Sequence, residues 1–105
     1  MPYIKDIAPK DLVAGITGHY AHGSNLTFGY VEIKAGSNLP VHHHVHEQIT
    51  YIIEGQLDMV IDGVPCSLNA GMFRIIPSNT THSAFAVTDC KAIDTFAPVR
   101  EEYKS

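Results

Sequence analysis

The sequence predicts an all-β fold, a barrel or sandwich in one domain over residues 1–105. Three observations carry that expectation. Short runs rich in β-branched and aromatic residues recur along the chain. Clusters of glycine, proline and asparagine separate them at close intervals. No window combines a 3.6-residue apolar period with a capping box, so helix signals are scarce.

Taken in order, residues 25–34 (NLTFGYVEIK) form the first strong strand signal and end at the turn-like AGSNLP. Residues 48–54 read as an almost continuous apolar strand, and Gly55-Gln56 as a tight connection. Residues 57–61 alternate into Asp62-Gly63, a strong hairpin signal because both positions tolerate positive φ. A short strand at 66–68 precedes the turn Asn69-Ala70-Gly71. Residues 72–76 are apolar and stop at Pro77-Ser78-Asn79; residues 83–87 and 92–96 complete the framework. After Pro98 the polar tail VREEYKS is expected to be either a covering segment or a frayed end.

Composition narrows the function. Hydrophobic residues make up 45% of the chain and charged residues 17%, a globular balance. The formal net charge is −4 and there is no basic run, which argues against nucleic acid and anionic membranes as partners. The N-terminal stretch MPYIKDIAPKDLVAG has no signal-peptide core, and no run is long enough to span a bilayer. Cys66 and Cys90 lack CxxC spacing and read as reduced packing residues, so a cytoplasmic location is expected. A chain this short buries a modest fraction of its surface, and a dimer interface or a bound metal would add stability.

The stretch VHHHVHEQITYIIEG holds four of the seven histidines, at positions 42, 43, 44 and 46. On one continuous strand, His42, His44, His46 and Gln48 would share a face, with His43 and Glu47 on the other. Two adjacent imidazoles, His42 and His44, suit a divalent transition metal, and Gln48 would add an amide oxygen after a slight bend. His46 has the right parity but is expected to reach the barrel mouth. A solvated histidine loop is the competing reading. Further on, Pro77 and Asn79 set a rigid turn that delivers His82 into a strand.

The run Gly36-SNLPV-His42-x-His44-x3-Gln48-x6-Gly55 resembles the first cupin motif, with Gln48 where a glutamate commonly stands. Gly71-MFRII-Pro77-x-Asn79-x2-His82 resembles the second, with Asn79 for the usual glycine and Ala86 for the usual terminal asparagine. The resemblance implies a double-stranded β-helix, a jelly-roll-like barrel, with His42, His44, Gln48 and His82 as metal ligands. The ligand set would be neutral. The divalent transition metal is left open among nickel, zinc, iron, manganese and copper, all of which accept nitrogen-rich sites.

Near the C-terminus, Asp94 and Phe96 lie two apart on a predicted strand, so both can face the cavity, and Arg100 follows the break at Pro98. A carboxylate for proton transfer, an apolar wall and a guanidinium for a carboxylate would make a sugar-acid pocket. A solvent-facing aspartate, a core phenylalanine and a surface arginine are the competing assignments. Tyr51 and Arg74 are further polar candidates for substrate binding.

The combination HxHxHEQxxYxxEG with DxFxPxREEY is similar to the small cupins of pectin degradation. That resemblance implies ring opening of 4,5-unsaturated uronate monosaccharides, from pectin or alginate, to the linear keto form. It carries catalytic roles to Asp94 and Arg100, a binding role to Phe96, and a homodimeric assembly. Relatives often place basic residues before a His-Gly step; here Gly15-Ile16-Thr17-Gly18 precedes His22-Gly23. The alternatives are a metal-dependent dioxygenase or other cupin enzyme, and a non-enzymatic sugar-binding cupin.

Overall fold

Ten strands build the protein in the computed structural model, which describes residues 2–104. They are β1 (Lys10–Val13), β2 (Ile16–His22), β3 (Thr27–Ile33), β4 (Asn38–His42) and β5 (Glu47–Glu54), followed by β6 (Gln56–Ile61), β7 (Val64–Asn69), β8 (Phe73–Ile76), β9 (His82–Ala86) and β10 (Cys90–Ala97). They pair antiparallel into a six-stranded sheet, β1-β2-β3-β10-β5-β8, and a four-stranded sheet, β4-β9-β6-β7. The fold is the expected all-β jelly-roll-like barrel. Among the described residues, no helix is long and apolar enough to cross a membrane.

The two sheets face each other across one core that includes Ile16, Val31, Ile52, Leu57, Leu68 and Ile76. Strict alternation sets what points inward. In β3, Thr27, Gly29, Val31 and Ile33 are buried while their neighbours are half-buried. In β5, Gln48, Thr50 and Ile52 are buried, and Glu47, Ile49, Tyr51 and Ile53 face outward. Thus β5 is apolar on its outer face and carries two polar side chains inward.

Two expected turns form as read. Asp62 and Gly63 both take positive φ, 51° and 76°, and close the β6–β7 hairpin. Asn79 takes φ 60° in the turn before β9. Cys66 and Cys90 are free thiols. The C-terminal tail covers the barrel: Tyr103 in the 3-10 turn Glu101–Tyr103 packs on the core, its ring 4.4 Å from Tyr20 and 5.8 Å from Phe96.

Three strands lie outside the expectation. β1 and β2 are weakly apolar, and β2 (ITGHYAH) hides its inward face behind glycine and histidine. The ring of Tyr20 fills the space that Gly18 and Gly29 leave empty; a Cβ on either would sit 2.5 Å from it. β4 runs through Pro40, which the sequence suggests is a turn. It is an edge strand, so the missing proline N–H need not break a ladder bond. The histidine cluster departs from the expected strand. β4 ends at His42 and β5 starts at Glu47, so residues 43–46 bend between strands and no single strand aligns 42, 44, 46 and 48.

Candidate metal centre and its pocket

His42 ends edge strand β4, His82 opens β9 directly opposite it in register, and the 43–46 bend swings His44 over both. The ring centroids lie 4.1 Å apart for His42–His82, 5.1 Å for His44–His82 and 5.8 Å for His42–His44. One nitrogen from each comes within 4.8 Å of the others.

Hydrogen bonding decides which nitrogen each ring offers. Nδ1 of His42 lies 2.9 Å from the Pro40 carbonyl, that of His44 3.0 Å from the His46 carbonyl, and that of His82 2.8 Å from the Thr80 carbonyl. A carbonyl only accepts, so each Nδ1 carries the proton and each neutral ring presents a bare Nε2. The His82 Nε2 is buried and has no hydrogen-bond partner in the protein. Three lone pairs thus share one small space, and backbone carbonyls orient the rings behind them, the arrangement a metal ligand set requires.

Gln48 adds a fourth donor. Its Nε2 donates to Thr50 Oγ1 at 2.9 Å and to Asp94 Oδ1 at 3.2 Å. That orientation turns Oε1 toward His44 Nε2, 3.1 Å away. Two acceptors at that distance repel unless a cation lies against both. Burial, aided by Arg100 and His82, pushes the His44 pKa down to about 4, so a proton does not fill that role at neutral pH. Burial likewise lowers the His82 pKa. The donor set fits a divalent transition metal: three neutral imidazoles and an amide oxygen, all deprotonated where it counts.

Asp94 lies on β10 in register with Thr50 on β5, on the same inner face. Thr50 Oγ1 donates to Asp94 Oδ1 at 2.7 Å. Burial raises the Asp94 pKa; the hydrogen bonds from Thr50 and Gln48 and the charge of Arg100 act against that rise. A cavity of about 40 Å³ adjoins the group, lined by Gln48, Thr50, His82 and Asp94 together with apolar residues such as Leu57 and Met59.

Phe96, two residues on, packs its ring 5.7 Å from His44 and 6.3 Å from His46. Arg100 folds back over the barrel end. Its guanidinium carbon sits 4.8 Å from the Phe96 ring centroid and 4.1 Å from that of Tyr103. Its side chain is 11% exposed, and Nε is buried without a hydrogen-bond partner, 3.8 Å from Glu102. A cation so placed suits an anionic group arriving beside the histidines.

The structure therefore brings His42, His44, Gln48, His82, Asp94, Phe96 and Arg100 together. Tyr51 does not join them. The alternation that sends Gln48 and Thr50 inward sends Tyr51 outward with Ile49 and Ile53, which corrects its expected place in the pocket. Arg74, cross-strand from Thr50 on edge strand β8, is exposed and does not line the cavity. His46 is buried beside the triad but outside it, its Nε2 3.9 Å from Glu102. Thr50 and Tyr103 are functional candidates that sequence reasoning missed. A lone threonine inside an apolar run and a tyrosine in a polar tail carry no signal of their partners.

The chain matches the cupin domain over residues 16–96. It belongs to that family. Among relatives, this cupin is 30% identical over 71 residues to the pectin degradation protein KdgF of Dickeya dadantii. The match spans 67% of this chain and 64% of that protein, just under two thirds of its length. Among solved structures, an RmlC-like cupin from Shewanella frigidimarina superposes with TM-score 0.90 at 28% identity, covering 97% of this chain and 93% of the other. KdgF from a Halomonas species superposes with TM-score 0.86 at 29% identity, covering 93% and 92%.

Proposed function

We propose that this cupin is a metal-dependent enzyme that opens the ring of 4,5-unsaturated uronate monosaccharides to the linear keto form. One observation carries the reading: three bare imidazole nitrogens and the Gln48 amide oxygen converge within reach of Asp94, with the Arg100 cation beside them. The similarity to two pectin-degradation proteins named KdgF supports the substrate class.

The substrate is a cyclic vinyl ether with a carboxylate and an anomeric hydroxyl. Arg100 binds the carboxylate, with Phe96 and Tyr103 restricting the guanidinium. Phe96 also forms the apolar wall that excludes water from the ring. Asp94 takes the proton from the anomeric hydroxyl through the carboxylate that Thr50 and Gln48 orient. As that proton leaves, the anomeric oxygen forms the carbonyl and the ring C–O bond breaks. Asp94 returns the proton to the departing oxygen, and the resulting enol tautomerises to the ketone. Held by His42, His44, Gln48 and His82, a divalent metal ion would supply Lewis acidity that lowers the pKa of a substrate oxygen.

The test is a time course of double-bond absorbance for metal-loaded protein with unsaturated uronate, against a no-enzyme control, with dissolved oxygen followed in parallel. Accelerated loss without oxygen uptake is expected, and Asp94→Asn should keep the metal and lose most turnover. Oxygen uptake coupled to substrate loss would replace this reading with the dioxygenase one; no acceleration would refute the ring-opening reading.

We also propose a homodimer. The outer face of β5 and β8 exposes Ile49, Tyr51, Ile53, Phe73 and Ile75 side by side, an apolar surface that association would cover. Light scattering at micromolar concentration should give twice the chain mass; a monomer would refute the assembly.

A further inference from the structure

The His22-Gly23 step belongs to neither the metal centre nor the pocket wall, yet its histidine sits in a closed hydrogen-bond chain. His22 ends β2, Thr27 begins β3, and the two are register partners. Thr27 is completely buried. The backbone N–H of Arg100 donates to Thr27 Oγ1 at 2.9 Å. Thr27 Oγ1 also lies 2.8 Å from His22 Nδ1, and His22 Nε2 lies 3.2 Å from the Tyr103 carbonyl.

The two ends of this chain set its hydrogen-bond directions when the His22 ring is neutral. An amide N–H can only donate and a carbonyl can only accept. The Tyr103 carbonyl therefore takes the proton on His22 Nε2, which leaves Nδ1 of the neutral ring bare to accept from the Thr27 hydroxyl, while the Thr27 oxygen accepts from the Arg100 amide. Every group in this part-buried chain has a partner. The two ends of the chain grip residues 100 and 103, the two ends of the turn that carries the guanidinium and the tyrosine ring against which it packs.

We propose that Thr27 and His22 are positioning residues: together they clasp the C-terminal segment and fix where the Arg100 guanidinium stands over the pocket. The assignment rests on the reading above, in which Arg100 holds the substrate carboxylate. Neither residue touches the substrate. Removing the Thr27 hydroxyl frees the Arg100 amide and leaves His22 Nδ1 facing a methyl group, so the cation loses its fixed place while the histidine triad keeps its own supports.

Thr27→Val is the near-isosteric test, and Thr27→Ser keeps the hydroxyl. Thr27→Val should raise KM for the uronate about five- to tenfold, the loss of roughly one hydrogen bond, with kcat and bound metal near the parent values. Thr27→Ser should restore KM. In an Arg100→Ala background, Thr27→Val should raise KM no further. A KM rise that adds to that of Arg100→Ala, or a fall in metal content, would overturn the clasp. So would an unchanged KM where Arg100→Ala raises it. If Arg100→Ala itself leaves KM unchanged, the carboxylate role of Arg100 fails. The clasp is then judged by hydrogen exchange at the Arg100 and Tyr103 amides, faster in Thr27→Val if it stands and unchanged if it does not. Should Thr27→Val fold poorly, His22→Phe breaks the same chain and is read in the same way.

Discussion

Replacing Thr50 with valine removes one hydroxyl from the centre of the site at almost constant volume. Thr50 is 2% exposed, and its Oγ1 donates to Asp94 at 2.7 Å while accepting from Gln48 at 2.9 Å. No solvent replaces either bond. Removing one partner of a buried hydrogen bond costs roughly 1–3 kcal/mol, and the valine methyl gains little beside Asp94. Gln48 keeps its bond to Asp94 at 3.2 Å, so the amide is loosened and not orphaned. We therefore expect Thr50→Val to lower the stability of the metal-free protein by about 1–3 kcal/mol in urea unfolding at constant m-value. Metal affinity or turnover should fall about 10- to 100-fold, the usual consequence of losing a group that orients a ligand. A stability change below about 0.5 kcal/mol with unaltered turnover would show that Thr50 does not hold Asp94 and Gln48, and the argument for their orientation would go with it.

Three other outcomes follow from the same structure. Gly29→Ala places a Cβ 2.5 Å from the Tyr20 ring and 3.2 Å from the Asp94 carbonyl, so overpacking should cost about 1–3 kcal/mol in thermal or urea unfolding; a neutral result would mean that the ring is free to move. Gln48→Glu sets a carboxyl where an amide now donates to Asp94 Oδ1, and two adjacent carboxyls cannot both ionise freely. Its melting temperature in chelator should fall below that of the parent and recover with added divalent metal; equal melting temperatures in chelator would contradict the contact. Stability should also decline on the alkaline side. Burial raises the Cys90 thiol above its ordinary 9.0 and the Tyr20 and Tyr103 phenols above 10.0. The unfolded chain loses those protons first, so stability is full below about pH 9 and falls as pH rises further; a flat urea midpoint from pH 8 to 11 would refute it.

Much of the fold was legible because strand and turn signals are local. The alternation in β3 and the Asp62-Gly63 and Asn79 turns depend on neighbouring residues and backbone sterics alone. β2 was not legible: Gly18 is buried against Tyr20, and a glycine reads as a strand breaker until the ring above it is seen. Pro40 masked β4 because only sheet order reveals an edge, where a missing N–H is tolerated.

The site divides along the same line. By itself, the amino-acid sequence made His42, His44, Gln48 and His82 candidate ligands, because residue type and spacing matched the cupin motifs, whose resemblance implies that set. It also placed Asp94, Phe96 and Arg100 near one another along the chain. Tertiary structure alone decided how they meet. The bend at 43–46 replaces the expected strand parity, Tyr51 faces outward, and Thr50 meets Asp94 across two strands. Thr27 and His22 reach Arg100 and Tyr103 over more than seventy positions. Such contacts are set by register between strands far apart in the chain, and register is a property of the packed sheet, not of any local run of residues.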